Sequence, residues 1–183
     1  MIISYMHRSF HLCSLLVTTT LWLAGCDSGP PPSMQSLAEK GDPDAQFAMG
    51  LFHETNGEEA LKWYTLAADQ GHVDAMLHLG SMHANGRSVP EDNEQALRHY
   101  TRAAEYGNVN AMFWLGKFHL QNATEPDKKT LAYVYFSLAA SDGHENSAYQ
   151  LHLLTQTMDT ETIRMAKERL KNAEKRGIQI LQK

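Results

Sequence analysis

Small and apolar residues return along this chain at the spacing of one helical face, and the faces themselves return at a fixed interval. Ala45, Met49 and His53 stand at offsets of four and eight, and Ala75, Leu79 and His83 repeat them, as do Ala111, Leu115 and His119. Those offsets put three side chains on one side of an α-helix. In each set a glycine (Gly50, Gly80 or Gly116) follows the large apolar residue. Glycine inside a helix costs about 1 kcal/mol relative to alanine, so three at the same place predict close approach of a second helix. That helix is read from Ala60-Leu61-Lys62-Trp63-Tyr64-x2-Ala67-Ala68, Ala96-Leu97-Arg98-His99-Tyr100-x2-Ala103-Ala104 and Ala132-Tyr133-Val134-Tyr135-Phe136-x2-Ala139-Ala140, which align without a gap. Small and aromatic residues alternate there by one turn, which predicts rings set opposite alanines of the next hairpin.

Gly41, Gly71, Gly107 and Gly143 punctuate these hairpins at intervals of 30, 36 and 36 residues. Each suits a left-handed helix end, and Asp44, Asp74, Asn110 and Asn146, three residues on, are expected to cap or open the next helix. A period in this range marks stacked helical hairpins, each burying its apolar face on its neighbours. The fold expected is all-α, a right-handed α-solenoid of about four helix-turn-helix units, over about 41–70, 71–106, 107–142 and 143–177. Solenoids present an extended surface, which points to binding before catalysis.

Together the residues Ala-x3-Leu-Gly-x2-aromatic, a Gly-containing loop, Ala-x2-Trp-Tyr and Ala-Ala-x2-Gly resemble the Sel-one-like repeat (SLR), a relative of the tetratricopeptide repeat. The resemblance covers about residues 34–177. Unit two follows it best: its loop Asn85-Gly86-Arg87-Ser88-Val89-Pro90-Glu91-Asp92 is similar to the family's Gly-x-Gly-Val-x-x-Asp, with Ser88 in place of the second glycine. Unit one has a shortened loop at Thr55-Asn56-Gly57, and unit three keeps only Pro126 in register. Unit four has His152 in place of its glycine and continues from Thr160 to Arg176, which resembles the family's polar closing helix. The family usually carries tyrosine where this chain has His53, His83 and His119. Three equivalent histidines invite a metal reading, but neighbouring helices lie about 8–10 Å apart and ligand bonds are about 2.0–2.1 Å. They are read instead as half-buried rings standing in for tyrosine, with no metal and no cofactor expected. A pH-responsive role stays open, because histidine titrates near neutrality.

The N-terminus carries a second pattern. Met1–Arg8 has one basic residue, Leu12–Leu23 is mostly apolar and uncharged, and Leu23-Ala24-Gly25-Cys26 follows. This is the layout of a secretory signal, and its end resembles a bacterial lipobox, which implies removal of residues 1–25 and acylation of Cys26. An uncleaved single-span anchor is the alternative. Cys13 and Cys26 are the only cysteines, so a processed chain would keep no free thiol, in keeping with an oxidising compartment. Residues 26–33 then read as a lipidated cysteine and a Pro/Gly tether. The expected location is the bacterial envelope, facing the periplasm, with Asp27 favouring the inner membrane over the outer.

Charge and motif content narrow the function by exclusion. The 16 Lys and Arg against 21 Asp and Glu form no basic stripe, so nucleic acid is not an expected partner. Lys167, Arg169, Lys171, Lys175 and Arg176 alternate with Glu168 and Glu174, the pattern of a solvated face. No Gly-x-Ser-x-Gly, His-Glu-x-x-His or Cys-x-x-Cys occurs, so no enzyme and no small-molecule substrate are expected. Asn122-Ala123-Thr124 fits a glycosylation sequon and is read as plain loop.

In tetratricopeptide-like stacks the first helix of each hairpin lines the concave surface. The partner-binding residues expected there are Asp44, Asp74, His78, Ser81, Asn110, Phe113, Trp114 and Lys117. Phe113 shares its place with Phe47 and Leu77, a recurrence that also suits core packing. Trp114 stands where the other units have Ala48 and His78; it is either an interface anchor or a filler against the irregular third loop. The function expected is a non-enzymatic lipoprotein that binds another protein, as an adaptor or assembly factor of an envelope system. The alternative is an immunity protein occluding a secreted toxin such as a phospholipase, a role some similar repeat lipoproteins have. A cell-wall hydrolase comes third, for want of catalytic groups.

Overall fold

The computed structural model describes residues 29–121 and 125–182. The signal-like segment, Cys26, Asp27 and the sequon Asn122–Thr124 lie outside the described residues. Within them the chain forms nine α-helices: α1 (Pro32–Glu39), α2 (Pro43–Phe52), α3 (Gly57–Asp69), α4 (Val73–Asn85), α5 (Asn93–Glu105), α6 (Val109–Gln121), α7 (Pro126–Ser141), α8 (Glu145–Thr155) and α9 (Thr160–Arg176), then a 3₁₀ turn at Ile178–Gln182. From α1 to α8 each helix packs on the next, α9 lies on α7, and the 3₁₀ turn reaches back to α5. The architecture is an all-α solenoid of hairpins α2/α3, α4/α5, α6/α7 and α8/α9. One helix more than expected precedes the first hairpin. α1 begins at Pro32, inside the proline-rich stretch read as tether, because proline fits a first helical turn whose N–H groups lack partners anyway.

The hairpins join by a two-residue device. The Gly71 N–H bonds to the Ala68 carbonyl and the His72 N–H to the Ala67 carbonyl, both at 3.0 Å, which closes the end of α3 as a Schellman motif. Gly71 needs its freedom from a Cβ here, since its φ is +93°. The same pair of bonds ends α1, α5 and α7 at Gly41, Gly107 and Gly143. The residue after each glycine then caps the following helix. Asp42 Oδ1 accepts from the Ala45 N–H at 2.8 Å and Asn108 Oδ1 from Ala111 at 2.9 Å. His72 Nδ1 accepts from Ala75 at 3.2 Å and His144 Nδ1 from Ser147 at 3.1 Å. Capping therefore falls two residues before the Asp and Asn positions singled out in the sequence. Asp44 and Asp74 sit instead in the first turns of α2 and α4, where the helix dipole favours a negative charge.

The helix-interior glycines face the second helix of their own hairpin, as the pattern suggested, but what they meet is a ring and not backbone. A Cβ on Gly80 or Gly116 would lie 2.6 Å from the ring of Tyr100 or Phe136, and one on Gly50 would overlap the ring of Tyr64. The rings of the second helices stand on the glycines of their own hairpins. The alanines act elsewhere, between helices. Ala67, Ala75, Ala103, Ala111, Ala132 and Ala139 are completely buried, letting helix axes approach. α7 is enclosed most fully, buried without a break from Thr130 to Phe136, because α6, α8 and α9 all pack against it. Arg169 on α9 pins that arrangement, with Nη1 donating to Asp127 Oδ1 and Thr130 Oγ1, each at 2.6 Å.

His53, His83 and His119 are half-buried, as the stand-in reading expects. His83 stacks on His99 at 5.6 Å with planes 8° apart, and His119 lies parallel to Tyr135 at 5.6 Å. The Nδ1 atoms of His83 and His99 are buried without a hydrogen-bond partner.

Candidate partner-binding face

The first helices of the hairpins, α2, α4 and α6, carry the residues singled out for binding. Asp44, Asp74 and Asn110 are exposed in the opening turns of these helices, and the Asn108 side chain donates to Asp74 Oδ1 at 3.4 Å. Phe113 is half-buried and packs on Phe136 at 6.1 Å and His144 at 4.8 Å. Phe47 makes the matching contacts with Tyr64 at 5.7 Å and His72 at 4.4 Å. Both phenylalanines thus tie one hairpin to the cap of the next.

Trp114 is partly packed and partly open. Its ring lies parallel to Tyr100 at 6.2 Å and edge-on to Phe113 at 5.5 Å, yet the residue stays 40% exposed. The Lys117 ammonium stands 5.4 Å from its centroid, in cation–π range.

Two equivalent clefts open on this face, one repeat apart. Their floors are Tyr64 and Tyr100, the rings seated on Gly50 and Gly80. The cleft over Tyr100 has a volume of about 110 Å³ and is walled by Asn85, Asn93, Trp114, Lys117 and Phe118. The cleft over Tyr64 is smaller, about 40 Å³, and more polar, with Glu54, His78, Ser81, Arg87 and Ser88 around it. His78 stands at the Trp114 position and Ser81 at the Lys117 position, so two of the sequence-selected residues meet in the first cleft and two in the second. Burial pushes the Tyr64 phenol well above its ordinary range, with the Glu54 carboxylate adding to it. It takes the Tyr100 phenol up to about 12. Burial also lowers His78, partly offset by the charges of Glu54 and Asp74. Tyrosines held protonated offer hydrogen bonds, and no activated nucleophile results.

Sequence reasoning missed Glu54, Tyr64, Arg87 and Ser88 because they arrive from three elements. The signal present was Tyr64 and Tyr100 aligned beneath successive first helices. Ser88 also carried one, since it fills a glycine position of the loop and takes a φ of +66°, the left-handed region that glycine occupies at no steric cost. A third groove, of about 540 Å³, lies between α5 and α7, with Arg98, Arg102, His119 and Tyr135 along it and Leu181 of the 3₁₀ turn at its edge. Among the described residues, no group of three or more His, Cys, Asp or Glu is placed to hold a metal ion, and no helix is long and apolar enough to cross a membrane.

The glycine-seated rings and capped two-residue joints define a helical-hairpin repeat scaffold. Residues 43–72, 73–108 and 109–144 each match the Sel1 repeat, more than half of the chain, which belongs to that family. Sel1 repeats bind protein partners, and their fold is typically a non-catalytic interaction scaffold. A protective antigen of uropathogenic Escherichia coli with an SLR fold superposes with a TM-score of 0.71 at 20% identity, over 81% of this chain and 33% of that one. This chain thus spans about a third of the antigen's length. A Sel1 repeat protein from Oxalobacter formigenes superposes with a TM-score of 0.59 at 29% identity, over 66% of this chain and 95% of that one. No curated protein matches the chain.

Proposed function

We propose that this protein docks a protein partner on the face formed by α2, α4 and α6, as a non-catalytic scaffold held at the bacterial envelope by a lipid on Cys26. The observation that carries the docking face is Trp114, a large ring left 40% exposed where the other units have Ala48 and His78. It is seated on Tyr100 and flanked by Lys117, which holds it rigid for contact. Aromatic residues fixed in this way dominate binding energies. Support for the anchor is the run Leu23-Ala24-Gly25-Cys26 behind an apolar stretch. Asp27 favours retention at the inner membrane.

The test is mild crosslinking in the native envelope, purification, and comparison of wild type with Trp114→Ala. Loss of one hot-spot aromatic costs about 2 kcal/mol or more, roughly a 30-fold fall in affinity, so a stoichiometric partner should disappear from the variant. Undiminished recovery with Trp114→Ala would remove the docking face from this position. A resident envelope protein as partner makes the chain an adaptor or assembly factor; an incoming toxin makes it an immunity protein. Mass spectrometry of the mature N-terminus checks the anchor, which predicts an acylated Cys26 and no residues before it.

A further inference from the structure

α1 stands where the second helix of a preceding unit would stand, cut short. It ends at Gly41 by the same pair of bonds as α5 and α7, and no first helix precedes it among the described residues. It also starts only nine residues before its glycine (Pro32 to Gly41), against 14 in α3 (Gly57 to Gly71) and α5 (Asn93 to Gly107). Counted back from the glycine, Leu37 matches Ala67, Ala103 and Ala139. Those alanines are completely buried, whereas Leu37 is 49% exposed. On α2, Phe52 matches Met82 of α4 and Phe118 of α6. Met82 lies beside the opening turn of the second helix before it, at Gly57 and Ala60, and Phe118 lies beside Asn93 and Ala96. The matching positions before Gly41 are Asp27 and Pro30, upstream of α1, and Phe52 is left 45% exposed. Both side chains are open because the unit that would cover them is incomplete.

Two facts bear on what covers this end. Alanine at the Leu37 position lets a first helix come close, and leucine holds one off, so the end is not shaped for another helix of the repeat. Cys26 lies six residues before Pro32, and six residues of extended chain reach at most about 20 Å. An acyl group on Cys26 therefore keeps this end of the solenoid within that distance of a bilayer. The boundary between headgroups and acyl chains has no fixed shape, and apolar helix faces enter it to a depth of about 5–10 Å. Lys40 and Lys62 are accompanied by Glu39, Glu58 and Glu59, so anionic headgroups exert no net pull and the contact is apolar.

We infer that the N-terminal end of the solenoid rests on the bilayer surface, with Leu37 and Phe52 sunk at the boundary of the acyl chains. The inference rests on the lipid anchor proposed above and deepens it: the anchor retains the chain, and the contact orients it. Units one to four then rise from the membrane in order. Trp114, in unit three, is carried clear of the lipid toward its partner.

Spin labelling tests this. Cys13 and Cys26 are the only cysteines, so the processed, acylated chain has no other thiol, and a nitroxide can be placed on Leu37→Cys, Phe52→Cys or, for reference, Met165→Cys on α9, which is also exposed. The protein is purified from the envelope, reconstituted into phosphatidylcholine vesicles and floated on a density gradient. In electron paramagnetic resonance, collision with oxygen relative to a water-soluble nickel chelate should be at least about threefold greater at positions 37 and 52 than at 165, as for groups within the acyl layer. Leu37→Glu should lower the ratio at position 52 to that at 165 and leave the thermal midpoint unchanged. Labels at 37 and 52 as open to nickel as at 165, in protein that floats, would overturn the contact and leave the anchor standing. Labels shielded from both reagents would overturn it in favour of a protein neighbour, a second copy if dilution with unlabelled chain removes spin–spin broadening and a different protein otherwise. Protein left behind by the floating vesicles would overturn the anchor, and the inference with it.

Discussion

Glycine at position 80 opposes two effects of known size. Alanine there would gain about 1 kcal/mol of helix propensity, but its Cβ would come to 2.6 Å from the Tyr100 ring, and overpacking of this kind costs about 1–3 kcal/mol. Gly80→Ala is therefore expected to lose about 1 kcal/mol or more in urea denaturation, and to become neutral or stabilising when Tyr100 is Leu. A gain in the wild-type background would show that the ring does not stand on the glycine. His99 provides the pH dependence at this scale. Burial, and then the charge of the stacked His83, depress its imidazole to about 4. A histidine depressed by folding binds fewer protons folded than unfolded, so its stabilising share is full above about pH 6.5 and fades as pH falls toward 4. Stability should drop over that window, and His99→Leu should flatten the slope measured by denaturation at successive pH values. The three helix-interior glycines were legible as points of close approach. That the second helix approaches was legible too; that it presents a ring and not backbone was not, because either would ask for a glycine at the same spacing.

The helix joints show a similar division. A glycine at each boundary was readable from its period. Asp44 and Asp74 open their helices, the second of the two roles expected of them; the caps themselves were not legible, because His72 and His144 are uncommon capping residues and a histidine serves only when an unprotonated Nδ1 faces the helix start. Asn108 is the cap of the same kind whose removal is simplest to interpret. Asn108→Ala should cost about 1 kcal/mol, with amide exchange accelerated at the opening turn of α6 and little changed in α2. Uniform exchange across all helices would mean that the units do not respond locally. α7 was assigned correctly as a second helix, yet its complete burial was readable only in part. The run Thr130-Leu131-Ala132-Tyr133-Val134-Tyr135-Phe136 has no polar face, a sign that neighbours lie all round it.

In the whole molecule, stability passes from unit to unit through shared interfaces, as in other solenoids. The fourth hairpin lies almost entirely beyond the last Sel1 match at residue 144, yet its closing helix α9 covers α7 and fastens to it through Arg169. Ending the chain after Thr155 should therefore uncover α7 and melt unit three ahead of units one and two. Calorimetry would show a broadened or double transition in place of a single one, and one sharp transition at an unchanged midpoint would refute this. The overall architecture was legible because period, small residues and helix ends all repeat. The clefts were not, since each is assembled from two units and a loop, and no one repeat contains the set.

A joint of two residues, one to end a helix and one to begin the next, has a bearing on how such a protein changes length. Gly107 closes α5 whatever follows, and Asn108 starts any helix whose third residue presents its N–H, as Ala111 does. Ala75 has the same place after His72. A second copy of residues 73–108 spliced at that point would meet a ready-made connection on both sides, without a new loop to be invented. Each added copy would bring another tyrosine floor and another cleft. In this chain the reach of the surface and the geometry of its joints are separable, so copy number is a coordinate along which descent or engineering can lengthen what is grasped while leaving the grip unchanged.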